Sequence, residues 1–184
     1  MVKNRFRYCI VLTILCSFIV PLQATLSYIV RAHKDPRVLA FLDMIAFAEV
    51  TDSPHGYNMQ YPGVVFNGYK DHPRTVMSGM VEGTEIRSTA AGRYQILAKT
   101  WDKIAKIIQA PDFSPLYQDY AAIQLIYERG ALKDIVKGDI KQAILKVNKI
   151  WAPLAGAPFG QPTKSLQILL SVYAAKLKAR KQIM

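Results

Sequence analysis

Between residues 36 and 49, apolar side chains recur at the three- and four-residue spacing of a helix that is buried along one face. The positions that follow this spacing are Val38, Phe41, Leu42, Ile45 and Ala48. Asp35 and Pro36 precede them and are typical of a helix start, with Asp as the N-cap and Pro in the first turn. The pattern predicts a helix over residues 38–49.

The same spacing returns in the second half of the chain. One stripe consists of Ile96, Leu97, Trp101, Ile104, Ala105 and Ile108. Ser114 and Pro115 start a further helix that Gly130 ends, and Gly138 with Asp139 separates two more. The second of these carries Ile140, Ala143, Ile144, Val147, Ile150 and Trp151. We expect Pro153 to end it and Thr163 to open a last helix.

Residues 53–88 interrupt the helices with five glycines and three prolines. Short β-branched runs occur at Val64 with Val65 and at Thr75 with Val76. This composition predicts irregular loops and a small β-hairpin or sheet. A helix, a small β region and then several helices indicate an α+β fold that is mainly α, with a minor β lobe and a cleft between two lobes.

Residues 1–30 have the layout of a signal peptide, or of an N-terminal membrane anchor that is retained. Lys3, Arg5 and Arg7 precede an apolar run, and Ala24 is a small residue at a possible cleavage point. Residues 8–30 carry no charge, so they are also long enough to form a membrane tether. Both interpretations predict that the folded domain, residues 34–184, is exported to the periplasm or secreted, or is held at the inner membrane.

The net charge of +11 indicates an anionic partner. Removing the three basic residues of the N-terminal segment lowers the charge by three, to +8. Because the domain is expected to be exported, we predict no nucleic-acid partner, and cell wall or anionic lipid becomes the nearer candidate. Both cysteines, Cys9 and Cys16, lie in the N-terminal segment, so a cysteine nucleophile in the domain is excluded.

Other common chemistries lack their residues. The chain has no glycine-rich phosphate loop, and no serine lies in a nucleophile-elbow motif. His33, His55 and His72 are scattered without metal-ligand spacing. We therefore predict that the protein uses no cofactor and no metal.

Glu49 is the strongest candidate for chemistry. It follows Ile45 by four residues and Leu42 by seven, which places it on the apolar face near the end of its helix. A carboxyl between a core and a cleft has a raised pKa and can donate a proton near neutral pH. The alternative is a structural ion pair with Arg74, Arg87 or Arg93.

A second candidate is the stretch Ser88-Thr89-Ala90-Ala91-Gly92-Arg93-Tyr94-Gln95. Its small residues permit close approach of a backbone, and Tyr94 and Gln95 suit sugar hydroxyls and amides. The alternative is that Thr89 caps a buried helix and the small residues only allow tight packing.

Together these residues resemble the family of lambda-type phage endolysins, which are lytic transglycosylases with a lysozyme-like fold. The resemblance runs from about residue 40 to residue 161. Its blocks include Ala40-Phe41-Leu42-Asp43-Met44-Ile45-Ala46 before Glu49, Thr51-Asp52, His55-Gly56-Tyr57, Asp71-His72-Pro73-Arg74, the Ser88 to Gln95 stretch, Asp112-Phe113-Ser114-Pro115, Gln118-Asp119, Glu128-Arg129-Gly130-Ala131-Leu132, Gly138-Asp139-Ile140, Gln142-Ala143-Ile144, Ile150-Trp151-Ala152 and Gly160-Gln161.

The resemblance implies that Glu49 is the catalytic acid and base in a lysozyme-like two-lobed domain. It also implies a set of substrate-binding residues near the cleft: Thr51, His55, Tyr57, Asn58, Ser88, Tyr94 and Gln95. The chain departs from the family pattern at Val50, where the pattern has Gly, and at Asn58, where it has Asp. Tyr61, Phe159 and Trp151 are further candidates for stacking on sugar faces, although Trp151 lies on a core stripe.

The expected function is that of a monomeric lytic transglycosylase. It would cleave the MurNAc-GlcNAc β-1,4 bond of peptidoglycan glycan strands and leave 1,6-anhydro-MurNAc ends. One alternative is a hydrolytic lysozyme, which needs a second carboxylate from Asp52, Asp71 or Glu85. Another is a non-catalytic basic wall-binding protein that uses the charged end from Lys176 to Lys181.

Overall fold

The computed structural model describes residues 26–183. A first helix, α1, covers residues 26–32. The remaining helices are α2 Pro36–Ala48, α3 Ala98–Ile108, α4 Pro115–Glu128, α5 Leu132–Lys137, α6 Ile140–Val147 and α7 Leu166–Ile183, with a short 3-10 helix at Gly56–Asn58. The strands are β1 Met59–Gln60, β2 Val64–Val65, β3 Met77–Val81 and β4 Thr84–Ser88. The fold is therefore α+β and mainly α, as the sequence predicts.

Helix α2 lies at the centre of the helical part. Its start matches the prediction, because the Asp35 side chain accepts a hydrogen bond from the backbone N–H of Arg37 and Pro36 occupies the first turn. Burial extends well beyond the predicted face, since Ala40, Met44 and Ala46 are also fully buried. Helices α4, α5 and α7 pack around it. A helix enclosed in this way is held by packing against its neighbours.

Helix α1 belongs to the folded domain, which therefore begins earlier than the predicted residue 34. Ile29 is fully buried in the main core, and the rings of Tyr28 and Tyr127 contact each other with centroids 5.3 Å apart. The basic patch, both cysteines and the predicted cleavage point at Ala24 lie outside the described residues. Within residues 26–183, no helix is long and apolar enough to cross a membrane.

The β lobe consists of two separate antiparallel hairpins. Strand β1 pairs with β2, and β3 pairs with β4 in a register that matches Met77 with Ser88. The predicted run at Val64 and Val65 forms β2, whereas Thr75 and Val76 lie just before β3. Gly79 lets the second hairpin approach the first, because a Cβ there would lie 2.7 Å from the hydroxyl oxygen of Tyr61.

Three helix boundaries differ from the predictions. Helix α3 begins at Ala98, so Ile96 and Leu97 precede it. Helix α6 ends at Val147 rather than at Pro153, and Trp151 lies in the turn that follows. Helix α7 begins at Leu166, three residues after the predicted Thr163. The apolar stripes continued past these ends because loop residues such as Ile96 and Trp151 are buried without being helical.

Ile29→Ala tests whether α1 is part of the cooperative fold. Removing a fully buried isoleucine side chain is expected to lower the free energy of unfolding by about 2 kcal/mol or more. The measurement is urea unfolding of protein that begins at residue 25. The control is Ser27→Ala, an exposed position on the same helix. Equal urea midpoints for Ile29→Ala and wild type would show that α1 adds nothing to the stability of the domain.

Candidate active site

A cavity of about 1330 Å³ lies between the β lobe and the helices. The β side contributes Met59, Tyr61, Pro62, Gly63, Met80, Val81, Ile86 and Ser88. The helical side contributes residues of α3, the end of α4 and residues 149–153. Glu49, Val50 and Thr51 line it at the end of α2. The predicted cleft between two lobes is thus present, and the central helix ends at it.

Glu49 is the C-cap residue of α2. Its backbone N–H bonds to the carbonyl oxygen of Ile45, which fixes the residue to the last turn of the helix. Burial raises the pKa of its carboxyl to about 8, and no charge or hydrogen bond from the described residues offsets this effect. The sequence suggested Arg74, Arg87 or Arg93 as a partner, but no ion pair of the described residues includes Glu49 or Arg87. Arg74 bridges Asp71 and Asp102, and Arg93 bridges Asp43 and Asp52.

The chain reverses direction immediately after Glu49 in a Schellman turn. The N–H of Thr51 bonds to the carbonyl of Ala46 at 2.9 Å, and the N–H of Val50 bonds to that of Phe47 at 3.2 Å. Val50 occupies the left-handed position of this turn, with φ of 59° and 78% exposure. A glycine is favoured at this position, so the valine stores backbone strain beside the candidate acid.

Thr51 joins the end of α2 to the turn at residues 90–96. Its hydroxyl lies 2.5 Å from the carbonyl oxygen of Arg93 and 3.1 Å from that of Ala46. The 90–96 turn is held from its other side by Gln118, whose Oε1 accepts the N–H of Arg93. Gly92 is required there, because a Cβ would lie 2.2 Å from Gln118 Oε1. The turn therefore packs as a rigid wall beside Glu49.

Asp119 connects three further segments to α4. It accepts hydrogen bonds from the hydroxyls of Tyr57 at 2.8 Å and Tyr94 at 2.6 Å, and it pairs with His33 at 2.9 Å. Burial and the negative charge of Asp119 raise the pKa of Tyr57 and Tyr94, so both stay protonated donors. Trp151 reinforces the same wall, because its indole N–H donates to the carbonyl of Tyr94.

The end of α7 is tied to the same region by ion pairs. Arg180 binds the buried carboxylate of Asp43 on α2 at 2.7 Å, and Lys176 binds Asp52 at 2.6 Å. Arg93 bridges these two carboxylates. Burial opposes ionisation of Asp52, but the charges of Lys176 and Arg93 outweigh it and lower the pKa. Two cations of the predicted basic tail are thus part of the fold.

Comparison with known proteins identifies the family. Residues 39–179 match the family model described as Endolysin. The chain is 46% identical over 128 residues to the endolysin of Escherichia phage lambda, a match that covers 66% of this chain and 79% of that protein. It is 40% identical over 157 residues to the endolysin of Escherichia phage P2, covering 79% and 94%. The chain belongs to the endolysin family.

Comparison with solved structures supports the same family assignment. The structure of bacteriophage lambda lysozyme complexed with a chitohexasaccharide is similar, with a TM-score of 0.71, 41% identity, and coverage of 77% of this chain and 94% of that chain. A second structure of lysozyme from bacteriophage lambda gives a TM-score of 0.67 at 39% identity, covering 79% and 94%. The chain is a lysozyme-like cell-wall-lytic enzyme.

Four of the site residues predicted for this endolysin line the cavity: Glu49, Thr51, Ser88 and Gln95. The amide nitrogen of Gln95 donates to the carbonyl of Gly92 at 3.0 Å, which holds its side chain against the turn. Ser88 Oγ accepts the N–H of Ala90. Their roles in catalysis and binding stay predictions, but their placement is compatible with those roles.

The other four predicted site residues do not line the cavity. Tyr94 is only 1% exposed, so it supports the wall rather than presenting itself to a ligand. Tyr57 bonds to Asp119, Asn58 accepts a hydrogen bond from Tyr69, and His55 is exposed in the loop beyond. Their polar side chains suggested sugar contacts, yet the partners of Tyr57, Asn58 and Tyr94 lie within the protein.

The carboxylates that the sequence suggested for a hydrolytic mechanism do not line the cavity, and a different carboxylate does. Asp52, Asp71 and Glu85 are absent from the residues that line the cavity, and Arg74 holds the pKa of Asp71 below its usual range. Glu128 at the end of α4 lines the cavity and was missed by sequence reasoning. It pairs with Lys103 at 2.9 Å and accepts a hydrogen bond from Gln124.

Several other lining residues were found only from the structure. Lys99 and Lys103 on α3, Arg129 after α4 and Lys149 after α6 all border the cavity. The four-residue spacing of the two lysines predicts a shared helix face but not what that face borders. Tyr61 and Phe159, named from sequence as sugar-stacking candidates, do line it. Among residues 26–183, no group of His, Cys, Asp and Glu side chains is arranged to hold a metal ion.

Replacing Val50 by glycine is expected to stabilise the protein. The left-handed conformation costs an L-residue roughly 1–2 kcal/mol, which glycine would relieve. The greater conformational entropy of glycine in the unfolded chain offsets about 0.5–1 kcal/mol of this stabilisation. A net rise in the free energy of unfolding of about 0–1.5 kcal/mol follows from these two terms, and urea titration measures it. Val65→Gly is the matched control, because Val65 is also exposed but lies in an extended strand, where glycine destabilises. Destabilisation by Val50→Gly would contradict the strain.

The raised pKa of the Glu49 carboxyl makes the stability of the protein depend on pH. The ordinary pKa of a glutamate is 4.5, and the folded value is about 8. Between these values the unfolded chain has lost the proton while the native state keeps it, so the free energy of unfolding falls as pH rises. The free energy of unfolding of Glu49→Gln, relative to that of wild type, should therefore rise from pH 5 to pH 8 and stay constant above pH 8. Thermal unfolding across this series measures the gain, and a flat difference would contradict burial of the acid.

Proposed function

We propose that the protein is a lytic transglycosylase that cleaves the MurNAc-GlcNAc β-1,4 bond of peptidoglycan, with Glu49 as acid and then base. The observation that carries the proposal is the Glu49 carboxyl, which lines the cleft with a pKa of about 8 and has no paired charge among the residues that the structure describes. At neutral pH such a carboxyl is protonated and can donate to a leaving group. Glycan binding by the cleft is supported by the chitohexasaccharide complex of the similar lambda lysozyme.

The reaction needs only one carboxyl. Glu49 donates its proton to the glycosidic oxygen as the bond from that oxygen to C1 of MurNAc breaks. The C6 hydroxyl of the same MurNAc then attacks C1, and the Glu49 carboxylate accepts the hydroxyl proton. The product is a 1,6-anhydro ring, no water is consumed, and Glu49 returns to its protonated state.

The surroundings of Glu49 favour this route over hydrolysis. Hydrolytic glycosidases use a second free carboxylate, either to attack the sugar or to activate a water molecule. Of the described residues that line the cavity, only Glu128 could supply one, and its charge is taken up by Lys103. Asp52 is held by two cations and does not line the cavity.

We further propose that the enzyme acts as a monomer on the wall side of the inner membrane. The sequence of residues 1–25 supports export, whether as a cleaved signal or as a tether. Cleavage after Ala24 would keep all the residues that the structure describes in α1, residues 26–32. The positive charge of the domain suits the anionic wall.

The products of digestion test the reaction type. Purified peptidoglycan digested by residues 25–184 should release muropeptides lighter by one water than hydrolytic products and resistant to borohydride reduction. Glu49→Gln should lower the rate by about 10²–10⁴-fold, the range for loss of a general acid. Mass spectrometry identifies the ends, and release of soluble fragments gives the rate.

Glu128→Gln is the matched control, because it changes the other lining carboxyl in the same way. It should keep most of the activity. Reducing ends together with loss of activity in Glu128→Gln would establish hydrolysis with Glu128 as the second carboxylate. No release by correctly folded wild-type protein would favour a non-catalytic wall-binding role.

A further inference from the structure

The two walls of the cleft differ in chemistry. The β side presents apolar groups, chiefly Tyr61, Pro62, Met80, Val81 and Ile86. The helical side presents four cations, Lys99, Lys103, Arg129 and Lys149, and Glu128 is the one acid besides Glu49 among its described residues. A strand that lies in this cleft therefore meets an apolar surface on one side and a cationic surface on the other.

Most of the positive charge on the helical side is uncompensated. Glu128 pairs with Lys103, which leaves Lys99, Arg129 and Lys149. None of these three forms an ion pair with another residue in the described part of the chain. Elsewhere the protein does pair cations with carboxylates, as Arg180 with Asp43 shows. Cations that share one wall repel each other, so an anion on that wall would be stabilising.

The glycan backbone cannot be that anion, because its hydroxyl and acetamide groups are neutral. The negative charges of peptidoglycan lie on the carboxylates of the stem peptide, which is attached to the lactyl group of MurNAc. The lactyl group leaves from the edge of the MurNAc ring, so a strand whose sugar faces contact the β side keeps its peptides free to reach the cations of the helical side. Each wall would then meet the part of the substrate whose chemistry it matches.

We propose that Lys99, Arg129 and Lys149 bind the carboxylates of the stem peptide, which makes peptide-bearing glycan the preferred substrate. This inference rests on the proposed function, because it assigns the substrate of the same cleft. Lys99 projects from α3, Arg129 follows the end of α4 and Lys149 follows α6, so three separate elements supply the charge. The three sites are exposed, so each contact contributes modestly and the preference arises from their sum.

The test compares intact peptidoglycan with glycan strands from which an amidase has removed the peptides. We expect wild type to cleave intact material with a kcat/KM about tenfold higher at low salt, the sum of three modest charge contacts. The triple variant Lys99→Gln, Arg129→Gln, Lys149→Gln should lose this preference, chiefly through KM. The control variant Lys106→Gln, Lys133→Gln, Lys141→Gln removes the same charge from exposed positions outside the cavity and should keep it.

A second readout separates this inference from the reaction. In the Glu49→Gln background, pelleting with intact peptidoglycan measures binding to peptide-bearing material without cleavage, and displacement from that pellet by the amidase-treated strands measures binding to bare glycan. Tighter binding to intact material that the triple variant loses supports the inference even if wild type cuts neither substrate, in which case the proposed function alone fails. Equal affinity for both substrates, or a preference that survives in the folded triple variant, overturns the inference. A preference lost equally in the control variant would mean general charge attraction and also overturns it.

Discussion

The enclosure of α2 is the constraint on which the rest of the structure depends. Because α2 is buried on nearly every side, its position is well defined, and so is that of Glu49, the residue that follows it. The Schellman turn then directs the chain out of the core within two residues. The acid is therefore held at the edge of a rigid element, where burial raises its pKa while the cleft keeps it accessible.

Two polar centres fix the walls around this helix end. Asp119 and Gln118, adjacent on α4, hold the loop after the Schellman turn and the 90–96 turn. On the opposite side, Asp43 and Arg93 link α2, that turn and α7. Because the charged groups are paired with one another, these contacts give orientation without leaving an isolated buried charge. Glu49 differs from these groups, because it has no charged partner among the described residues and stays neutral by keeping its proton.

The sequence predicted those features that depend on local pattern. The start of α2, the strand at Val64 and Val65, and the position of Glu49 at a helix end all follow from spacing and capping. It did not predict partners that are distant along the chain. Arg180 looked like part of a free basic tail because Asp43 is 137 positions away. The hydroxyl of Tyr94 suggested a sugar contact. Its actual acceptor, Asp119, lies 25 residues further along the chain, so local pattern could not reveal it. The cationic wall combines three elements, so no single segment could reveal it.

The burial of Ile29 limits how residues near the N-terminus can be divided between lipid and protein. A side chain packed in the core of the domain cannot at the same time lie among acyl chains, so Ile29, with Tyr28 packed beside it on the same core, is unavailable to a bilayer while the domain is folded. A tether without charged residues would have to be drawn from residues 8–27. A helix of that length would reach about 30 Å, which is no more than the roughly 30 Å of the hydrocarbon core. An enzyme held in this way would lie directly against the lipid surface with almost no linker. The distance it could reach into the wall would then be set by the size of the domain itself.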